Sequence, residues 1–198
     1  MITFKELSNE DPYKQLKIKY DEAVISNQPL IEAICISSFS KTHNEVDSRF
    51  VNLKIINDKD FIFFTNYSSP KSKQFASHNQ ISAVIFWSNT NVQIRMKARI
   101  EKISEKVSDE YFKHRSSEKN ALAISSSQSF EAGSYNEIEN NYQKILNLSD
   151  TSIRPDYWGG FSFRPYYFEF WTGHEQRLNF RQSYKLEKNR WVESILQP

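Results

Sequence analysis

The sequence predicts an α+β protein whose sheet is an antiparallel barrel. Strand-like runs rich in Ile, Val and Phe occupy the first half of the chain and return at its C-terminal end, with helical periodicity between them. The connectors between several runs are short and turn-rich, which favours antiparallel pairing over the long crossovers of a parallel sheet. At 198 residues, 38% apolar and 15% aromatic, the chain can fill one large core and is too apolar for disorder. A single domain over 1–198 is expected.

Residues 11–27 read as a helix. Asp11 is the candidate N-cap and Pro12 suits the first helical position. Tyr13, Leu16, Tyr20 and Val24 then share one face. Strand character begins at Ile31 with IEAICISSF, then RFVNLKII, FIFFTN, ISAVIFW and VQIRMKARIE. KTHNEVD, NDKD and WSNTN are the turns. SSPKSKQFASHNQ, between FIFFTN and ISAVIFW, is a short helix opened by Ser. Residues 107–147 read as two short helical pieces and a longer one from Asn136 to Leu148. After Pro155 the strands resume as WGGFSFR, YYFEFW, SYKLE and RWVESIL. In 92–101, Val92, Ile94, Met96, Ala98 and Ile100 alternate with Gln93, Arg95, Lys97, Arg99 and Glu101. That second face is either a solvated outer face or a polar wall for an anionic ligand.

Several function classes are excluded. The chain has only four glycines, the first at Gly133, so no glycine-rich phosphate loop of the dinucleotide-binding or P-loop kind exists. One cysteine, Cys35, rules out an internal disulfide and a Cys-paired zinc site; its apolar run suggests a buried, inert thiol. No metal site is expected. A net charge of +2 is too mild to argue for nucleic acid. No stretch approaches ~18 consecutive apolar residues, and MITFKELSNEDPY lacks the pattern of a secretory signal, so a cytoplasmic protein with no membrane partner is expected. His43, His78, His114 and His174 are scattered and no catalytic dyad stands out. What remains is basic residues beside aromatics, which suits a flat, phosphorylated ligand.

The motifs RFVNLK (49–54), FFTN (63–66), YFKHR (111–115), QS (128–129), WGGF (158–161) and EFWTGHEQRLNFR (169–181) occur in this order. The ordered set resembles the pyridoxamine 5′-phosphate oxidase family of FMN enzymes, over roughly residues 11–198. The resemblance implies a split antiparallel β-barrel with surrounding helices, working as a homodimer with FMN in clefts between subunits. Residues from about 155 to 198 would form the dimerisation and substrate segment. The implied FMN contacts are Arg49 through Lys54 (with Phe50, Val51, Asn52 and Leu53 between them), Phe64, Thr65, Lys71, Gln93, Gln128, Ser129, Trp171 and Arg181. Arg49 and Lys71 would hold the FMN phosphate. Lys54, Tyr111, Arg115 and Lys119 would bind the substrate phosphate, and Arg177 and Asn179 would meet the substrate ring as the catalytic pair.

This chain departs from the family pattern at several places. The usual RLHDR reads RLNFR, so Asn179 stands for histidine and Phe180 for aspartate. Asparagine donates a hydrogen bond but carries no proton charge near neutral pH. Lys119 stands where serine is usual, Pro70 where arginine is usual, and Phe64 where tyrosine is usual. The implied reaction oxidises pyridoxamine 5′-phosphate or pyridoxine 5′-phosphate to pyridoxal 5′-phosphate, with O2 as acceptor and H2O2 as product. The alternatives are a diverged FMN oxidase resembling those of phenazine biosynthesis, and a non-catalytic flavin- or pyridoxal-phosphate-binding protein. Arg49 and Lys54 are five residues apart, which puts them on opposite faces of a regular strand. Both can serve one site only if the strand bends or a dimer cleft wraps its edge.

Overall fold

The computed structural model of the chain describes residues 1–148 and 150–198. Its strands are β1 (Thr3–Lys5), β2 (Ala33–Ser40), β3 (Glu45–Asn57), β4 (Asp60–Asn66), β5 (Gln80–Trp87), β6 (Val92–Lys102), β7 (Trp158–Thr172), β8 (Phe180–Glu187) and β9 (Arg190–Ile195). The helices are α1 (Asp11–Ile25), α2 (Pro70–Ser77), α3 (Glu105–Lys113), α4 (Ser117–Ser125) and α5 (Tyr135–Leu148). The order β3-β2-β5-β6-β7-β4 closes on itself because β4 pairs with both β7 and β3. Every contact in this ring is antiparallel. β8 and β9 extend from β7, and β1 joins β3 in parallel. Closure removes the exposed edges an open sheet would carry.

Two long strands make the barrel split. β3 pairs with β2 over 45–52 and with β4 from Leu53 onward. β7 pairs with β4 up to Phe163 and with β8 from Tyr167 onward. Each strand changes neighbour partway, so the sheet branches there. One edge of 45–52 is left without a strand partner among the described residues, and Phe50 on it is 73% exposed.

The inward residues are those the alternation predicts. Val92, Ile94, Met96, Ala98 and Ile100 are all buried, beside Phe63, Phe163 and Phe168. α1 packs Tyr13, Leu16 and Tyr20 against them; the Tyr13 and Phe168 ring centroids lie 5.2 Å apart, edge to face. No described helix is long and apolar enough to cross a membrane.

Several details differ from the expectations. The N-cap of α1 is Glu10, not Asp11. The Glu10 carboxylate makes no cap; it accepts from Lys59 Nζ at 2.5 Å and Trp191 Nε1 at 2.8 Å, tying the helix start to β9. Val24 is 40% exposed and Ala23 is buried instead, so the apolar stripe drifts in the last turn. Cys35 is partly exposed, because the strict alternation of β2 turns it outward. WGGFSFR and YYFEFW are one strand. Pro165 is tolerated because the β6–β7 register shifts beside it, at Lys97/Ala98.

Gly159 and Gly160 are required by close approach rather than by backbone angle. A Cβ on Gly159 would lie 2.2 Å from the Tyr67 hydroxyl. That hydroxyl donates to the Gly160 carbonyl at 3.1 Å, so Tyr67 cannot swing away without losing the bond. Gly159→Ala is therefore expected to destabilise the fold by about 1–3 kcal/mol, measured by denaturant titration. An unchanged midpoint would show that Tyr67 repacks freely.

Candidate active site

A cleft of about 630 Å³ opens where β3 and β4 meet α2, α3 and α4. Cations gather at one end. Lys71, in the first turn of α2, is 8% exposed; its Nζ lies 3.2 Å from Ser69 Oγ and 3.3 Å from Thr65 Oγ1. It makes no salt bridge among the described residues. Burial pushes its pKa down to about 8, the neighbouring Arg49 charge adds to the fall, and Asp47 opposes it. Arg49 donates to Ser38 Oγ at 2.6 Å and Gln74 Oε1 at 2.8 Å, and also pairs with Asp47. Thr65 Oγ1 donates to Gln128 Oε1 at 2.8 Å, which also accepts from the Asn66 N–H at 3.2 Å. A buried lysine beside an arginine, with hydroxyls around it, fits a phosphate and would gain by holding one.

The other end is built on aromatic rings. Phe64 of β4 and Tyr111 of α3 stack with centroids 3.6 Å apart and planes 6° from parallel; Trp158 lies 5.5 Å from Phe64 on the same stack. The Arg115 guanidinium sits 4.4 Å from the Trp158 ring centroid. Its Nη2 donates to the Lys119 carbonyl at 3.1 Å, while its Nη1 is buried without a hydrogen-bond partner among the described residues. An orphaned, charged donor on a residue that lines the cleft fits an anion bound beside it. Lys119 and Lys54 line the same cleft, and Lys54 also lies 3.6 Å from Glu32.

Lys54 lies at a β-bulge and lines the cleft. Leu53 faces Phe63 and Ile55 faces Ile62, so Lys54 is the extra residue. Arg49 does not itself line the cleft that holds Lys54. Phe50, Val51 and Asn52 line the cleft with Lys54. Leu53 is wholly buried in the core, so only its backbone can face a ligand.

Phe50, Val51, Asn52, Lys54, Phe64, Thr65, Lys71, Tyr111, Arg115, Lys119 and Gln128 therefore line one cleft, with Arg49 bonded just behind Lys71. Gln93, Trp171 and Arg181 do not line it. They form one cross-strand row on β6, β7 and β8, with Gln93 opposite Trp171 and Trp171 opposite Arg181. Arg177 and Asn179 lie in the β7–β8 turn and Ser129 just past Gln128, also away from that lining. Asn179 Oδ1 accepts from the His174 N–H at 3.1 Å, and Arg177 holds a left-handed φ of 62°. The sequence reading missed His114 and Trp158 as lining residues; their signals were their places inside YFKHR and WGGF.

The fold and the cleft together define a split-barrel protein with a cationic, aromatic-lined cleft. Residues 26–149 match the family described as pyridoxamine 5′-phosphate oxidase, and 158–198 match the pyridoxine 5′-phosphate oxidase C-terminal dimerisation region. The pyridoxine/pyridoxamine 5′-phosphate oxidase of Herminiimonas arsenicoxydans is 31% identical over 190 residues, 95% of this chain and 90% of that one. Among solved structures, PhzG from Burkholderia lata, in complex with tetrahydrophenazine-1-carboxylic acid, superposes with a TM-score of 0.90 at 24% identity, covering 96% of this chain and 93% of that one. A pyridoxamine 5′-phosphate oxidase-related, FMN binding protein from Nostoc punctiforme gives 0.76 at 12% identity, over 96% and 99%. At those identities both structures speak to the fold. The chain belongs to the pyridoxamine 5′-phosphate oxidase family, and its cofactor is the FMN of that family.

Proposed function

We propose that the chain is a homodimeric FMN-dependent oxidase that converts pyridoxamine 5′-phosphate or pyridoxine 5′-phosphate to pyridoxal 5′-phosphate. The observation that carries this reading is the cleft with cations at both ends, Lys71 backed by Arg49 and Arg115 beside Lys119, and stacked rings at the Arg115 end. Two anionic groups on flat molecules match it. When bound, FMN would supply the redox chemistry: pyridoxine 5′-phosphate and O2 would give pyridoxal 5′-phosphate and H2O2, and pyridoxamine 5′-phosphate would in addition consume water and release ammonia.

The protein's own residues bind and orient. Lys71 and Arg49 hold the FMN phosphate, with Thr65 and Gln128 fixing the wall beside it. Lys54, Arg115 and Lys119 hold the substrate phosphate. Lys119, in place of the family's serine, adds a charge that favours a phosphate over a neutral group. The rings of Phe64, Tyr111 and Trp158 exclude water from that end.

Gln93, Trp171, Arg177, Asn179 and Arg181 come from the partner subunit's copy of the sheet, which is why one protomer presents two groups of residues. Asn179 already spends its Oδ1 on the turn, so it meets substrate only through its amide N–H.

The test is the purified protein with added FMN. Bound flavin bands, a mass by light scattering of twice the chain, and peroxide release with pyridoxine 5′-phosphate are expected. Flavin bound without peroxide from either vitamer would overturn the substrate assignment and leave the binding-protein reading.

A further inference from the structure

We infer that Glu169 is the positioning residue of Arg181, holding that guanidinium in the orientation the FMN site requires. This rests on the proposed reading, in which Arg181 is a flavin contact. Glu169 lies on the outward face of β7, between the inward Phe168 and Phe170, yet it is 2% exposed. What covers it is charge. Its Oε1 accepts from both Nε (3.0 Å) and Nη2 (2.8 Å) of Arg181. Its Oε2 accepts from the Tyr167 hydroxyl at 3.1 Å and pairs with Arg95 Nη1 at 3.2 Å.

The sheet register explains the contact. Glu169 is directly opposite Arg95 on β6 and Ser183 on β8, and Arg181 is the diagonal neighbour on β8. Arg181 Nη1 meanwhile donates to the Gln197 carbonyl at 2.8 Å, so the C-terminal tail closes the third side of the group. All three nitrogens of Arg181 are engaged, which leaves the guanidinium one orientation. It stands in the row with Trp171 and Gln93.

A carboxylate beside an anion-binding row is unfavourable by charge alone. A full negative charge there weakens attraction for a phosphorylated cofactor unless it gives something back. What it gives is preorganisation: a guanidinium with a fixed fork loses less freedom when its remaining N–H groups meet a ligand. Glu169 also leaves the cluster with Arg95 at a net positive charge.

The experiment is a double-mutant cycle on FMN affinity in the intact protein, using Glu169→Gln, Arg181→Lys and the double variant. Flavin fluorescence quenching gives the affinity, and a melting curve of each apoprotein reports the fold. Glu169→Gln is expected to weaken FMN binding roughly tenfold. In the Arg181→Lys background the same change is expected to have little effect, because a lysine has no fork to hold. Additive losses, or unchanged affinity for Glu169→Gln, would overturn the inference. If Arg181→Lys and Arg181→Ala both leave FMN affinity unchanged, the flavin assignment of Arg181 is wrong, which is a separate failure. If Glu169→Gln does not fold, Glu169→Asp serves in the same cycle, since its shorter carboxylate cannot reach both Arg181 nitrogens; FMN affinity unchanged in it would count against the inference.

Discussion

Lys71→Met is expected to weaken FMN binding by roughly ten- to hundredfold, the worth of one charge-assisted hydrogen bond of about 1.5–3 kcal/mol. Lys71 is 8% exposed, donates only to hydroxyls among the described residues and feels the Arg49 charge more than that of Asp47, so the apoprotein holds a cation it does not solvate well. Its pKa falls to about 8 from an ordinary 10.5, with burial the first cause. The sign follows from which state binds the proton. Between those values the unfolded chain keeps the Lys71 proton and the folded apoprotein releases it, so this group makes apoprotein stability rise with pH across that window. The penalty is fully present below about 8 and gone above the ordinary value. FMN affinity moves the other way. A bound phosphate needs the ammonium, so affinity declines by up to about tenfold per pH unit above the Lys71 value, while the FMN phosphate and Arg49 keep their charges. Titrating FMN from about pH 7 to 10 in wild type and Lys71→Met checks both statements. Identical pH slopes in the two proteins would place the phosphate away from Lys71.

Much of this was legible because it rests on periodicity. The period-two alternation of β6 survives in the structure residue by residue, since one face meets the barrel core and the other does not. The breaks in periodicity were not legible. The bulge at Lys54 leaves its only trace in the partner register, a long-range fact. Pro165 reads locally as the end of a strand, yet β7 runs through it because the register shifts at that point. β1 is three residues long and exists only because β3 offers it a parallel edge. The N-cap went wrong for a similar reason. Glu10 takes the cap position while its carboxylate answers Lys59 and Trp191, distant in sequence. For the site, ordered motifs named the residues, but nothing local told which of them share one protomer's cleft. Gln93, Trp171 and Arg181 needed the ladder before they became a single row.

Arg115→Met is expected to raise KM for pyridoxine 5′-phosphate by roughly ten- to hundredfold, with FMN affinity unchanged and no loss of apoprotein stability beyond about 1 kcal/mol. The stability half of this follows from opposing contributions. Methionine keeps an apolar stem against Trp158 but gives up the guanidinium 4.4 Å from that ring and the Nη2 bond to the Lys119 carbonyl. Against this, the substitution removes Nη1, a buried donor with no partner among the described residues, whose desolvation costs about 1–3 kcal/mol. Burial also disfavours the Arg115 charge, lowering its pKa. Packing alone does not account for an orphaned donor on a cleft-lining residue; an incoming phosphate would. Melting curves with and without pyridoxal 5′-phosphate separate the two. The ligand is expected to raise the wild-type Tm and to leave that of Arg115→Met nearly unmoved. A variant that melts several degrees lower and keeps its KM would make Arg115 a strut between α3 and Trp158, and the substrate phosphate would then belong to Lys54 and Lys119 alone.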